Sequence, residues 1–213
     1  MSVAVERPLE RRSLLAGRAG MLAGPVFLTT VVLLTAAEWG FLHRAGWTVF
    51  GVNKIPYPSY TALGPYGYVQ VANFFVTGLL VLSCVQGLGA HLHWWTGKAG
   101  RVLLTVAGIA VCTSAFRTDV VPGPVSWHGA IHAGSFVVVA AGSTFGLLFA
   151  GLGLRREAGW RAFGTVTACL AGWQVLVFTV GGVLLPGDAN FYLFLLGLFG
   201  WFFAAGRRLT KAT

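Results

Sequence analysis

Six long apolar runs, separated by short polar segments, constrain the fold of this 213-residue chain more than any other feature. A helix that spans a bilayer needs about 20 mostly apolar residues, and a soluble domain averages roughly 25% charged residues. Only 10% of this chain is charged, so lipid rather than water must cover most of its surface. We predict an all-α integral membrane protein, a six-helix transmembrane bundle with spans at residues 20–42, 68–88, 100–116, 127–154, 163–185 and 191–206.

The lysines and arginines predict the orientation of the bundle. Most of them lie in alternate connecting segments, which the positive-inside rule assigns to the cytoplasm. These segments contain Arg7, Arg11, Arg12, Arg18, Lys98, Arg101, Arg155, Arg156, Arg161, Arg207, Arg208 and Lys211, and the opposite segments contain Arg44, Lys54 and Arg117. We therefore predict a multi-pass protein of the bacterial inner membrane with both termini cytoplasmic. Residues 1–19 and 207–213 would be basic tails, and residues 20–206 the transmembrane domain.

The net charge of +9 does not indicate a nucleic acid partner. The basic residues form short clusters between apolar runs rather than a continuous stripe, which is the pattern of membrane topology. No P-loop, dinucleotide-binding or nucleophile-elbow motif is present. The sequence thus predicts membrane lipids and a lipid-soluble small molecule as partners, with no cofactor.

The predicted outer ends of the helices carry three of the six acidic residues and three of the five histidines. This group consists of Glu38, Asp119, Asp188, His43, His128 and His132. An ionised carboxylate inside the membrane boundary is costly unless it is paired or faces a cavity. Glu38 is therefore either a catalytic acid or base in a pocket, or half of a salt bridge to Arg44 or Lys54. Asp188, within the turn sequence PGDAN, is predicted to cap the last helix.

Asp119 stands where the third span must end, because Pro122 and Pro124 cannot continue a helix. A carboxylate at a helix C-terminus is electrostatically unfavourable, whereas Arg117 is favourable there. Asp119 is either paired with a neighbouring base or retained for a function. We predict that it is catalytic and that Arg117 contacts the substrate.

His128 and His132 are four residues apart and share one face of the fourth helix. Three interpretations remain open. They transfer protons or contact a ligand; they bind zinc, with Asp119 as a third ligand; or they form structural hydrogen bonds. We favour the first, so that Asp119, Glu38, His128 and His132 are the candidate catalytic residues and no metal is assigned.

The longest outer loop, residues 44–67, is rich in aromatic residues and proline, and is predicted to form a lid over the bundle. Buried amides within apolar spans need hydrogen-bond partners, and such groups can line a cavity. Together with Arg117, the candidate substrate-binding residues are Trp39, Tyr60, Asn73, Trp127 and Trp173.

Three short motifs occur in order: PSYTALG in the outer loop, RTD at the end of the third span and HGAIH at the start of the fourth. In this order they resemble a bacterial six-helix membrane family catalogued as domain of unknown function 998, over roughly residues 20–205. Ala62 stands where the family's loop motif often carries a glutamate. The resemblance implies that Asp119 and His132 belong to a site, and it supplies no reaction.

The predicted function is that of a membrane enzyme acting on an isoprenoid-type substrate, by acid-initiated cyclisation in an aromatic-lined pocket. A carboxylic acid kept neutral by burial protonates an alkene or epoxide, and aromatic faces stabilise the carbocation. In size and character the chain looks like the small multi-pass membrane terpene cyclases. The alternatives are a metal-dependent lipid hydrolase using His128, His132 and Asp119, a small-molecule transporter or binding protein, and a structural subunit.

Overall fold

The structure is a computed structural model that describes residues 3–47, 57–120, 123–185 and 189–211, with side chains described from residue 11 onward. All regular secondary structure in these ranges is helical, which confirms the predicted all-α class. The α-helices are α1 (Val3–Ala37), α2 (Trp39–Arg44), α3 (Gly67–Leu88), α4 (Trp95–Thr113), α5 (Trp127–Leu154), α6 (Arg161–Thr179), α7 (Gly181–Leu184) and α8 (Ala189–Lys211). Two 3₁₀ helices cover Pro58–Leu63 and Gly89–His91.

Five helical stretches of the described residues are long and apolar enough to cross a membrane. They are Arg11–Ala37, Gly67–His91, Trp127–Leu154, Arg161–Leu184 and Ala189–Lys211. The chain is therefore a multi-pass membrane protein. The predicted span at 100–116 corresponds to α4, which is 19 residues long and is not among the five. Lys98 and Arg101 in its first two turns, together with its threonines, make it less apolar than the others.

The predicted boundaries agree closely for α3 and α5, and differ at both ends of α1. That helix begins at Val3 rather than near residue 20, so most of the basic segment before residue 20 is helical. It ends at Ala37, where Glu38 leaves the regular helical conformation and α2 begins. The predicted fifth span, 163–185, is divided into α6 and α7 around the pair Gly181 and Gly182, where glycine lowers helix stability.

Six long helices form a closed ring in which each packs on its neighbours: α1 on α3, α3 on α4, α4 on α5, α5 on α6, α6 on α8, and α8 on α1. Small residues allow the close approach that helix association in lipid requires. A Cβ atom on Gly100 would lie 2.3 Å from the backbone nitrogen of Ala150, and one on Gly206 would lie 2.3 Å from the carbonyl oxygen of Gly17. These contacts close the ring at the α4–α5 and α1–α8 seams.

Buried hydrogen bonds between side chains also join neighbouring helices. Thr144 on α5 donates to Gln174 on α6 at 2.8 Å, and the Trp201 indole on α8 donates to Thr167 on α6, also at 2.8 Å. Such bonds contribute on the order of 0.6 kcal/mol each in a membrane. They join α6 to α5 on one side and to α8 on the other.

Candidate functional site

The ring of helices surrounds an elongated cavity of about 480 Å³. Its wall runs from His132 to Ser143 along α5 and from Asn190 to Phe202 along α8, a depth of about 16–18 Å at 1.5 Å per residue. This volume lies within the roughly 300–1,000 Å³ of typical small-molecule sites. The long, narrow shape suits a single extended chain better than a compact ring system.

Phenylalanine side chains form much of the cavity wall. Phe27 packs on Phe199 with ring centroids 5.2 Å apart, and Phe178 packs on Phe194 at 4.9 Å. The eight that line the cavity are Phe27, Phe74, Phe136, Phe178, Phe191, Phe194, Phe199 and Phe202. None of the described tryptophans lines it. The wall is therefore apolar and rich in aromatic faces over most of its depth.

Polar lining residues lie mainly at one end of the cavity, which we call the mouth. The mouth is at the end of the ring where α1 ends and where α5 and α8 begin. Apart from Ser143 deeper in the cavity, its polar lining residues are Tyr57, Ser59, Tyr60, Ser114, Thr118, His132 and Asn190. The start of the 3₁₀ helix Pro58–Leu63 lies at this end, and Tyr57 packs edge-on against Phe191 at 5.3 Å. Of the loop predicted to form a lid, residues 57–60 line the mouth, and the other described residues of the loop do not line the cavity.

His132 is the one histidine among the described residues that lines the cavity, and none of the described Asp, Glu, Lys or Arg side chains does so. Its Nδ1 lies 2.9 Å from the carbonyl oxygens of both Ser114 and Phe116, at the C-terminal end of α4. These carbonyls have no partner within the helix, and a carbonyl oxygen only accepts hydrogen bonds. Nδ1 must therefore carry the hydrogen. The ring also meets Phe74 edge-on at 5.8 Å, so it is held from two sides.

Asp119 lies in the connection between α4 and α5, where it is bound to Ser126, the N-cap of α5. The Ser126 backbone N–H donates to Oδ2 at 2.7 Å, and the Ser126 hydroxyl donates to Oδ1 at 2.6 Å. These hydrogen bonds, first from the hydroxyl and then from the backbone, hold the pKa of Asp119 below its usual value, and His128 adds to this effect. The carboxylate is therefore stabilised in its ionised form.

His128 completes a cluster that we call the clasp: Arg117, Asp119, Ser126 and His128. The Ser126 hydroxyl gives its hydrogen to Asp119, so it accepts from Nδ1 of His128 at 2.7 Å and from the Gly129 N–H at 3.1 Å. Nδ1 of His128 also lies 3.1 Å from the carbonyl oxygen of Arg117. These hydrogen bonds satisfy the Asp119 carboxylate and the Ser126 hydroxyl, and they fasten the α4–α5 connection to the first turn of α5.

Glu38 is buried, with 2% of its surface exposed, between the end of α1 and the segment that follows the 3₁₀ helix. Its Oε1 accepts a hydrogen bond from the Tyr66 N–H at 2.6 Å. Its Oε2 has no hydrogen-bond partner among the described residues and lies against Gly64, where a Cβ would come within 2.3 Å of it. Burial with one unpartnered oxygen favours the neutral acid. Glu38 lies against the segment that follows the 3₁₀ helix, and it does not line the cavity.

The structure brings only two of the ten predicted site residues to the cavity, His132 and Tyr60. Asp119 and His128 belong to the clasp, and Glu38 lies against Gly64. Trp127 and Trp173 do not line the cavity, and 69% and 43% of their surfaces are exposed.

Three further residues that were predicted to bind the substrate do not line the cavity either. Asn73 is buried and donates to the Phe27 carbonyl oxygen at 3.2 Å, so it joins α3 to α1. Trp39 stacks on His43 at 6.2 Å, and the Arg117 side chain is exposed. The predictions that involve Lys54 and Asp188 lie outside the described residues.

The sequence predicts an aromatic-lined pocket, but none of the phenylalanines of the wall was among the predicted site residues, although α8 carries a signal for them. Phe191, Phe194, Leu198 and Phe202 recur at intervals of three or four residues, which places them on one face of a helix. No group of three His, Cys, Asp or Glu side chains that could hold a metal occurs among the described residues. The described residues therefore provide no set of ligands for the zinc site that was one interpretation of His128 and His132.

Comparison with known proteins assigns the chain to a family. The family model described as "Protein of unknown function (DUF998)" matches residues 57–208, from the mouth to the last helix. No curated protein and no solved structure matches the chain. The match confirms the resemblance seen in the three sequence motifs, and it covers more than half of the chain. The chain therefore belongs to the DUF998 family.

Proposed function

We propose that this protein binds one lipid-soluble molecule of the isoprenoid type in its phenylalanine-lined cavity and acts on it near the mouth. The observation that carries the proposal is the cavity itself: long, narrow, apolar over most of its depth and polar at one end. A hydrocarbon chain gains about 25 cal/mol for each Å² that it removes from water. Branched unsaturated chains also pack well against aromatic faces, so an isoprenoid fits this wall better than a sugar or a nucleotide.

We also propose that the ring is a six-helix transmembrane bundle with both termini in the cytoplasm. Helix α4 packs between α3 and α5 as an equal member of the ring, which supports counting it as the sixth span. The basic residues Lys98, Arg101, Arg155 and Arg156 lie at the end of the ring opposite the mouth. The positive-inside rule would then face the mouth away from the cytoplasm, in a bacterial inner membrane.

Acid-initiated cyclisation is the reaction that we propose for this site, and it depends on Glu38 rather than Asp119. The initiating acid must be protonated, and Asp119 is held in its ionised form by Ser126. Glu38 is buried, and one of its oxygens has no hydrogen-bond partner among the described residues, so it meets this requirement. Glu38 lies against Gly64 and does not line the cavity, so its carboxyl can reach a substrate only if the segment around Gly64 shifts. His132 would accept the final proton.

The proposal is tested with the full chain in lipid nanodiscs, using native mass spectrometry for binding and product analysis for chemistry. We expect one farnesol or geranylgeraniol molecule to be retained per chain. Linear farnesyl-bearing or geranylgeranyl-bearing compounds should give cyclic isomers of unchanged mass, with Glu38→Gln inactive and Asp119→Asn active. Retention without any product would identify a non-catalytic binding protein. Failure to retain any isoprenoid would contradict the proposed function itself.

A further inference from the structure

The hydrogen on Nδ1 of His132 determines what the rest of the imidazole can do. Two carbonyl oxygens, those of Ser114 and Phe116, lie 2.9 Å from Nδ1. Turning the ring over would put a carbon atom at the same distance from both, which is too close and leaves the carbonyls unpaired. The neutral imidazole therefore carries its hydrogen on Nδ1, and Nε2 is an acceptor.

Nε2 of His132 makes no hydrogen bond to the described residues, although the side chain lines the cavity. The Nδ1 edge is directed at the end of α4, so Nε2 is the polar atom of the ring that remains for a cavity occupant. A partly buried acceptor without a partner loses the hydrogen bond that it would make in water. A molecule that supplies a hydrogen-bond donor at this point restores that bond.

The rest of the mouth is polar but uncharged in the part of the chain that the structure describes. Ser59, Thr118 and Asn190 line it with hydroxyl and amide groups, and none of the described Lys, Arg, Asp or Glu side chains does so. Proteins bind phosphate and diphosphate groups through Arg, Lys or a metal ion. Transferring an ionised head group into a site without such partners is costly.

From these observations we infer that the cavity selects an isoprenoid whose head group is an uncharged hydroxyl, such as a prenyl alcohol or phenol, and that this hydroxyl donates to Nε2 of His132. The inference rests on the proposed function, and it names the head group. The tail extends along the phenylalanine wall towards Phe202. A head group that only accepts hydrogen bonds, or an anionic phosphate, is bound more weakly.

The test compares three probes that share one chain: geranylgeraniol, its methyl ether and its monophosphate. Binding to the full-length protein in nanodiscs is measured by displacement of a fluorescent prenyl alcohol at neutral pH. We expect the alcohol to bind about tenfold more tightly than the ether, which is the effect of one hydrogen bond to a partly buried acceptor. We expect the phosphate to bind at least tenfold more weakly than the alcohol.

A pair of matched variants assigns the selectivity to His132. In His132→Asn, the amide N–H₂ occupies the position of Nδ1 and still donates to the α4 carbonyls, while the acceptor at Nε2 is lost. This variant should stay folded and bind alcohol and ether equally. His128→Asn, one turn away in the clasp, should keep the tenfold difference.

Equal binding of alcohol and ether by the wild type, or tighter binding of the phosphate, overturns the inference and leaves the proposed function intact. Preservation of the alcohol preference in His132→Asn also overturns it, because the hydroxyl must then bind elsewhere. Absence of binding by all three probes overturns the proposed function, and the inference with it.

Discussion

The clasp and the mouth are neighbouring polar clusters that share helix α5, and they differ in where the free nitrogen of their histidine lies. Nε2 of both histidines has no hydrogen-bond partner among the described residues, but of the two side chains only that of His132 lines the cavity. His128 and His132 are four residues apart, and each uses Nδ1 to bind groups from the α4 end of the ring. In the clasp, Asp119 and Ser126 complete a closed set of hydrogen bonds. At the mouth, Nε2 of His132 has no partner among the described residues while the side chain lines the cavity.

This difference separates a structural role from a functional one. The hydrogen bonds within the clasp stabilise the fold, and its histidine does not line the cavity, whereas an unpartnered acceptor beside a cavity can recognise a ligand. The motif HGAIH thus contains one histidine of each kind. We expect changes in the clasp to alter stability, and changes at the cavity to alter binding.

The largest expected effect comes from filling the cavity. Val139 on α5 is 8% exposed and lines the cavity, so Val139→Trp should occupy the space of the ligand chain. We expect isoprenoid binding to fall at least a hundredfold, measured by displacement of the fluorescent probe. Val138→Trp, on the outward face and 39% exposed, is the control that should bind normally. Normal binding by Val139→Trp would place the ligand elsewhere.

A smaller effect, on stability alone, is expected from Gly129→Ala. A Cβ at this position would lie 1.8 Å from Oδ2 of Asp119, so the clasp must open. We expect a loss of about 1–3 kcal/mol, the usual cost of overpacking, seen as a lower midpoint of thermal unfolding in nanodiscs. Gly134→Ala on the same helix meets nothing within 4 Å and should be neutral or slightly stabilising. Equal effects of the two changes on the unfolding midpoint would mean that the clasp contributes little to the stability of the fold.

The pH dependence of stability should depend on Asp119. Its pKa in the folded protein is below the ordinary value of 3.8, so its contribution is present above that value and is lost as pH falls through the folded pKa. We expect Asp119→Asn to lower the unfolding midpoint by a constant amount between pH 5 and pH 8, and the difference to shrink below about pH 4. A difference that persists unchanged at pH 3 would show that the charge is not what stabilises the clasp.

The smallest effect on stability is expected from Glu38→Gln. Glutamine keeps the oxygen that accepts from the Tyr66 N–H, and like the protonated acid it is uncharged, so it adds no cost of burying a charge. We expect an unfolding midpoint at neutral pH equal to or slightly above that of the wild type. Glu38→Ala, which removes the acceptor, should be clearly less stable. A large loss of stability in Glu38→Gln would indicate that the ionised carboxylate is needed for the fold.

The helices could be predicted well from the sequence, because each apolar run has clear ends. Helix α5 begins after Ser126, whose side chain caps it, and ends before the pair Arg155 and Arg156, as its apolar run predicts. The division of α6 from α7 was less evident, because Val180 and Leu185 continue the apolar pattern on both sides of the glycine pair.

The inward faces of the helices could not be predicted as well. In a soluble helix the polar face identifies the outside, whereas a membrane helix is apolar on both faces. Trp173 and Phe194 are equally plausible cavity residues by sequence, and only the packing of α6 and α8 separates them. Some polar residues were also wrongly expected at the cavity, because their hydrogen-bond partners are not evident from the sequence. Asn73 and Asp119 both looked available for a function. Asn73 is hydrogen-bonded to Phe27, which is distant in sequence, and Asp119 is hydrogen-bonded to Ser126 in the α4–α5 connection.

The most direct test of a lipid-binding cavity is photolabelling with a farnesol analogue that carries a diazirine at the far end of its chain. After irradiation of the full-length protein in nanodiscs, the labelled residues are identified by peptide mass spectrometry, with and without excess farnesol. We predict labelling of deep cavity residues such as Val139 and Leu198, suppressed by the competitor. Labelling confined to outward residues such as Val137 and Leu196, unaffected by farnesol, would contradict the account.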